Sequence, residues 1–177
     1  MWMSKETLSF VKFAQEFCAN CGILGGDYVM NGKVFPSIYA SDDNKFHIHY
    51  YNKIRDSKGN FVGTPARIGH DSGVMDVSKE DFDTYTIPVR MVILLHEFSH
   101  KFFNEKHGMP IESESSADLG SLLVYFSLGY SEIEAHQAFL NVFKNAWNEG
   151  NKKRYLIIKD FIDRYAKGEI NNCYFKT

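Results

Sequence analysis

Long apolar runs are missing from this 177-residue chain. The longest nearly uncharged stretches, Met91 to Leu95 and Leu119 to Leu128, fall far short of the roughly 20 residues that a membrane-spanning helix needs. A charge bias is missing too. Lys and Arg number 20 against 22 Asp and Glu, a formal net charge of −2, so electrostatics offer no case for nucleic acid or an anionic membrane as partner. The opening Met1-Trp2-Met3-Ser4-Lys5-Glu6 lacks the basic-then-apolar order of a secretory leader, and the expectation is a cytoplasmic protein. Cysteine is scarce: Cys18, Cys21 and Cys173 are too few, and odd in number, for a disulfide framework. The Cys18-Ala19-Asn20-Cys21 spacing lacks the two further soft ligands of a zinc site, and it ends a helical pattern instead of following a strand. These thiols are expected to be ordinary buried groups. Repeats, low-complexity tracts and linkers are absent, which favours a single domain over residues 1–177.

What is present is apolar and aromatic: 44% hydrophobic and 15% aromatic residues, enough for a sizeable core. Ser4 is placed to cap a first helix with Leu8, Phe10, Val11, Phe13, Phe17 and Cys18 on its apolar face. Tyr28-Val29-Met30, Asn31-Gly32 and Lys33-Val34-Phe35 read as a hairpin, since Asn-Gly suits a turn with two positive φ angles. Phe46 to Tyr51 alternates, with Phe46, Ile48 and Tyr50 inward and His47 and His49 outward. His-x-His on one strand face is a rival metal pair, but no further ligand follows closely, and two polar positions on a half-exposed strand is the simpler reading. Thr64 to Ile68 and Gly73 to Val77 are further strand candidates.

The second half reads as helical. Ser78 to Asp81 and Ser131 to Glu134 have the form of capping boxes. Pro88 fits the first turn of a helix that is apolar on all sides, hence buried and central. Lys106-His107-Gly108 and Pro110 would stop it. A following helix would place Glu114, Ala117, Asp118 and Ser121 on one face, acidic and then small. Ile133, Ala138, Leu140, Phe143 and Trp147 are the packing positions expected of the next helix. Asn151 is the expected cap of the last, with Leu156, Ile157, Phe161, Ile162 and Tyr165 apolar. The architecture is therefore α+β: a small, mostly antiparallel sheet packed on a buried helix, followed by a helical C-terminal half.

The chemistry concentrates in His96-Glu97-Phe98-Ser99-His100. On a helix, His96 and His100 stand one turn apart on one face, as a single metal ion requires. Glu97 sits on the adjoining flank, where it can reach a water without ligating the metal. Three titratable groups in an apolar helix are costly to bury without purpose. A turn after His100 would bring Glu114 back, completing two His and one carboxylate with a position left open.

His-Glu-x-x-His followed by Glu114-Ser115-Ser116-Ala117-Asp118 resembles the zincin metallopeptidases of the gluzincin type, with their His-Glu-x-x-His…Glu-x-x-Ala-Asp pattern, over residues 73 to 129. The resemblance implies zinc bound by His96, His100 and Glu114, Glu97 as general base, and Asp118 orienting a ligand histidine. It implies hydrolysis of a peptide or protein substrate, bound along a sheet edge above the metal helix. Gly73 to Val77 is the first choice for that edge and Thr64 to Ile68 the second. The metzincin extension fails, because Phe103 and Lys106 stand where Gly and a third His are needed. Glu112, Asp118 and His107 are rival ligands. The oxyanion donor is open among His136, Tyr155, Tyr125, Tyr130 and Arg154. The alternative function is a catalytically idle module on the same fold, binding or structural within a larger assembly.

Overall fold

The computed structural model describes residues 2–102, 110–144 and 146–175. A two-residue strand β1 (Trp2–Met3) leads into helix α1 (Lys5–Asn20). Ser4 caps α1 as expected, its hydroxyl accepting the Thr7 N–H at 3.1 Å. The hairpin β2 (Tyr28–Met30) and β3 (Lys33–Phe35) turns at Asn31 and Gly32, with φ of 52° and 73°. β4 (Ser37–Ala40), β5 (His47–Tyr51), β6 (Ala66–Ile68) and β7 (Met75–Ser78) form the main sheet, in the order β4-β5-β7-β6. Its outer pairings are antiparallel and the central β5–β7 pairing is parallel. A short helix α2 (Lys79–Phe82) precedes the central helix α3 (Ile87–Phe102). α4 (Pro110–Ser127), α5 (Glu132–Phe143) and α6 (Glu149–Ala166) follow, and β8 (Tyr174–Phe175) returns to pair in parallel with β1. The fold class is thus α+β. Among the described residues no helix is long and apolar enough to cross a membrane.

The core lies between the sheet and α3. Ile48 and Tyr50 of β5 and Phe46 just before it are buried, and Phe10 of α1 stacks on Phe98 of α3 with centroids 4.4 Å apart. Val89, Met91, Val92, Ile93, Leu94, Leu95 and Phe98 of α3 are all buried, so this helix is apolar around most of its circumference because neighbours surround it. α4 packs on it most extensively, through buried Ala117, Asp118 and Ser121. All three cysteines are free and buried, and burial raises the thiol pKa of each, as inert core thiols require.

Several local expectations are corrected. Ser78 and Ser131 occupy N-cap positions, but neither hydroxyl makes a capping hydrogen bond; the Ser78 hydroxyl lies 3.5 Å from the Asn52 carbonyl instead. The last helix is capped by Asn148, whose side chain accepts from the Asn151 N–H at 2.9 Å. α5 turns Ala135, Ala138, Phe139 and Phe143 inward, which leaves Ile133 80% exposed and Leu140 on the same outer side. Trp147 is exposed beyond the helix end. α6 buries Ile158 and Ile162 and leaves Leu156 and Ile157 outside. The stop signal Lys106-His107-Gly108, the rival ligand His107 and Phe103 lie outside the described residues, as does the side chain of Glu112.

The Gly73 to Val77 segment is not a sheet edge. β7 is hydrogen-bonded to β5 on one side and β6 on the other. The edge beside α3 is β6, within the second-choice segment Thr64 to Ile68. Proximity in sequence to α3 did not govern lateral order, because the parallel β5–β7 pairing pulls β7 into the sheet interior.

Candidate metal centre

His96 and His100 project from the same face of α3, and Glu114 approaches from the first half of α4. Their ligating atoms converge. The two Nε2 atoms are 2.9 Å apart, Glu114 Oε1 is 3.1 Å from His100 Nε2, and Glu114 Oε2 is 3.3 Å from His96 Nε2. Bonds of 2.0–2.1 Å in a tetrahedral site separate donors by about 3.3 Å, so this triangle is close to what one small metal ion would demand. Among the described residues it is the one group of three His, Cys, Asp or Glu side chains so arranged. His47, by contrast, is engaged with Asn44 Oδ1 at 3.0 Å and belongs to no such group.

Asp118 stands one turn after Glu114, its carboxylate almost fully buried. Its Oδ1 lies 2.9 Å from His96 Nδ1. The contact is short but out of line for a well-formed hydrogen bond, since Nδ1 has no properly aligned acceptor. Burial pulls the His96 imidazole pKa down, but the neighbouring Asp118, Glu114 and Glu97 carboxylates prevail and raise it to about 10. Burial likewise opposes ionisation of Glu114, yet hydrogen bonds from His100 and His96, with the His96 and Arg154 charges, hold its carboxyl well below the usual range. The two shifts are the two sides of one pairing: the imidazole is favoured in its charged form by the carboxylates, and the Glu114 carboxylate by the imidazoles and Arg154.

Arg154, reached from α6, supplies one fixed cation. Its Nε and Nη2 each lie 2.9 Å from a different oxygen of Asp118, a bidentate fork, and Nη2 also sits 3.0 Å from Glu114 Oε2. Its guanidinium lies over the Phe143 ring, 4.8 Å from the centroid. Sequence reasoning offered Arg154 only as an oxyanion donor and missed this clamp. A signal was available: Arg154, Ile158 and Ile162 stand at successive i, i+4 positions, so the arginine shares the buried stripe of α6. An inward charge on an apolar stripe calls for partners.

Beside the triad lies a cleft of about 340 Å³. One wall is Thr64, Pro65, Ala66 and Arg67 at the edge of the sheet; the other is apolar, from Val92 and Ile93 of α3 and Ala138, Phe139 and Val142 of α5. Glu97 lines this cleft but is not among the converging donors. Burial raises its carboxyl pKa, countered by the His96 and His100 charges and by a backbone hydrogen bond from Ile68 of β6. A larger groove, about 440 Å³ between α1 and β4, gathers no comparable donor set; size alone does not select the site. Of the five oxyanion candidates, only Arg154 lines the cleft. The Tyr125 hydroxyl donates to the Ser131 carbonyl at 2.7 Å, Tyr130 accepts from Gln15, Tyr155 packs edge-on against Trp147, and His136 is not part of the lining.

No protein-family model, no curated protein and no solved structure matches this chain.

Proposed function

We propose that this protein is a zinc-dependent endopeptidase with a zincin-like fold of the gluzincin type. The observation that carries the reading is the convergence of His96, His100 and Glu114 at the floor of a cleft that also holds Glu97. The donor set, two imidazoles and one carboxylate, is that of a catalytic zinc site with a position left open. Zinc held there would polarise a scissile carbonyl and lower the pKa of water toward about 7.

The chain's own residues divide the remaining work. Glu97, buried enough for its pKa to rise, accepts a proton at its carboxylate and returns it to the leaving amine. The edge strand β6 offers backbone groups to an extended peptide, and the apolar wall of Val92, Ile93, Phe139 and Val142 excludes water from its side chains. Asp118 and Arg154 hold His96 and Glu114 in place from outside the triad. Arg154 is committed to both carboxylates, which leaves no unpaired cation in the described lining to hold a substrate's terminal carboxylate. That favours cleavage within a chain over trimming from its C-terminal end.

The test pairs metal analysis with turnover. Purified protein should carry one zinc per chain, and His100→Ala should lose it. A peptide library should be cut by the wild type and not by Glu97→Gln. Zinc retained in His100→Ala would overturn the metal site. Equal behaviour of wild type and Glu97→Gln would leave a catalytically idle module on the same fold.

A further inference from the structure

Beyond the cleft wall the chain makes a tight turn. Arg55 and Phe61 form an antiparallel bridge, and the Asp56 carboxylate is spent inside the turn, accepting the N–H groups of Lys58 and Asn60 and the Asn60 side-chain amide. On the outside, Phe61 is 55% exposed and two cations share its ring: Arg55 Cζ lies 4.1 Å and Lys53 Nζ 4.8 Å from the centroid. Lys58 is exposed in the same turn. None of these three cations has a carboxylate ion-pair partner among the described residues. Two like charges gathered on one ring repel each other, and attraction to the ring offsets this only in part. Arg55 Nη1 already donates to the Gly59 carbonyl at 3.1 Å, but a neutral carbonyl does not cancel the charge, which an incoming anion would.

Its placement says which anion. Arg67, which lines the cleft, donates to the Arg55 carbonyl at 2.9 Å while pairing with Asp76. The patch is therefore joined to the cleft wall, and Phe61 is three residues before Thr64, where that wall begins. Three cations on a chain of net charge −2 make no track for a phosphate backbone. They do suit carboxylates on an extended peptide that continues from a strand edge. We infer that Lys53 and Arg55, which share the Phe61 ring, and Lys58 in the same turn form a docking patch for an acidic segment of a peptide whose neighbouring residues occupy the cleft. The inference rests on the peptide-hydrolase reading for its biological sense, but binding at the patch needs neither metal nor turnover.

The experiment therefore uses full-length protein carrying Glu97→Gln, titrated with a fluorescein-labelled Glu-rich peptide, its Gln counterpart and labelled oligothymidine. The acidic peptide should bind about tenfold more tightly than the Gln peptide, each exposed charge pair contributing a few-fold, with the preference shrinking as salt rises. Lys53→Gln with Arg55→Gln should abolish the preference. Lys58→Glu, which leaves the ring untouched, should reduce it independently, so loss of fold in one variant does not decide the result. Equal affinity for the two peptides, a preference surviving in both variants, or tighter binding of oligothymidine would each overturn the proposal. Adding His100→Ala separates the two readings. The preference should persist there, so a missing metal or absent turnover would sink the hydrolase alone, while active enzyme without the preference would sink the patch alone.

Discussion

The helix pair α3–α4 and the pair α5–α6 are both consecutive in sequence order and both carry apolar residues, yet they are used differently. α3 buries Val89, Met91, Val92, Ile93, Leu94, Leu95 and Phe98, and α4 presses a small, acidic face against it. α5 and α6 bury one stripe each and leave Ile133, Leu140, Leu156 and Ile157 in solvent. The first pair carries the donor triad; the second reaches it mainly through one long side chain, Arg154, and through the apolar wall of α5. Central helices tolerate little change because neighbours close on all sides, whereas peripheral ones tolerate change everywhere except on the buried stripe.

That contrast can be broken or sharpened by experiment. The largest effect is expected at Glu97→Gln, which should lower the turnover number on a cleavable peptide by roughly 10²–10⁴-fold while zinc content stays at one per chain; unchanged turnover would end the general-base assignment. Next, Arg154→Met should cost about 3–5 kcal/mol in chemical denaturation, because Asp118 and part of Glu114 would be left as uncompensated carboxylates. It should also weaken zinc by roughly 10–100-fold in chelator competition. Arg154→Lys should restore only part of either, since an ammonium cannot form the fork. If Arg154→Met behaved like a surface change, the second pair would have no hold on the centre. Leu95→Ala in α3 should cost about 2–5 kcal/mol, as a fully buried leucine does. Leu156→Ala, on a side chain 65% exposed, should stay within about 0.5 kcal/mol. Equal costs for the two leucines would erase the distinction between the pairs.

Much of this was legible from local pattern. Ser4, Asn31-Gly32 and Pro88 act where they stand in the chain. His96, His100 and Glu114 were likewise readable, since one-turn spacing on a helix and a carboxylate on the next are short-range relations. Which face of a peripheral helix turns inward was not readable. Ile133 and Leu156 are as hydrophobic as Phe139 and Ile158, and only the position of neighbouring elements separates them. The β1–β8 pairing was invisible for the same reason, as it joins residues at opposite ends of the chain.

By itself, then, the sequence determined the α+β class, the helix that carries His96, Glu97 and His100, and the candidate donors. These follow from periods and spacings that act over a turn or two of backbone. Tertiary structure alone decided that β6, not β7, forms the sheet edge beside α3, and that Arg154 of α6 bridges Asp118 and Glu114. It also set two cations, Lys53 and Arg55, on the Phe61 ring next to the cleft. Lateral strand order and long-range ion pairs are settled by which surfaces meet when the whole core closes, and no local pattern encodes that choice.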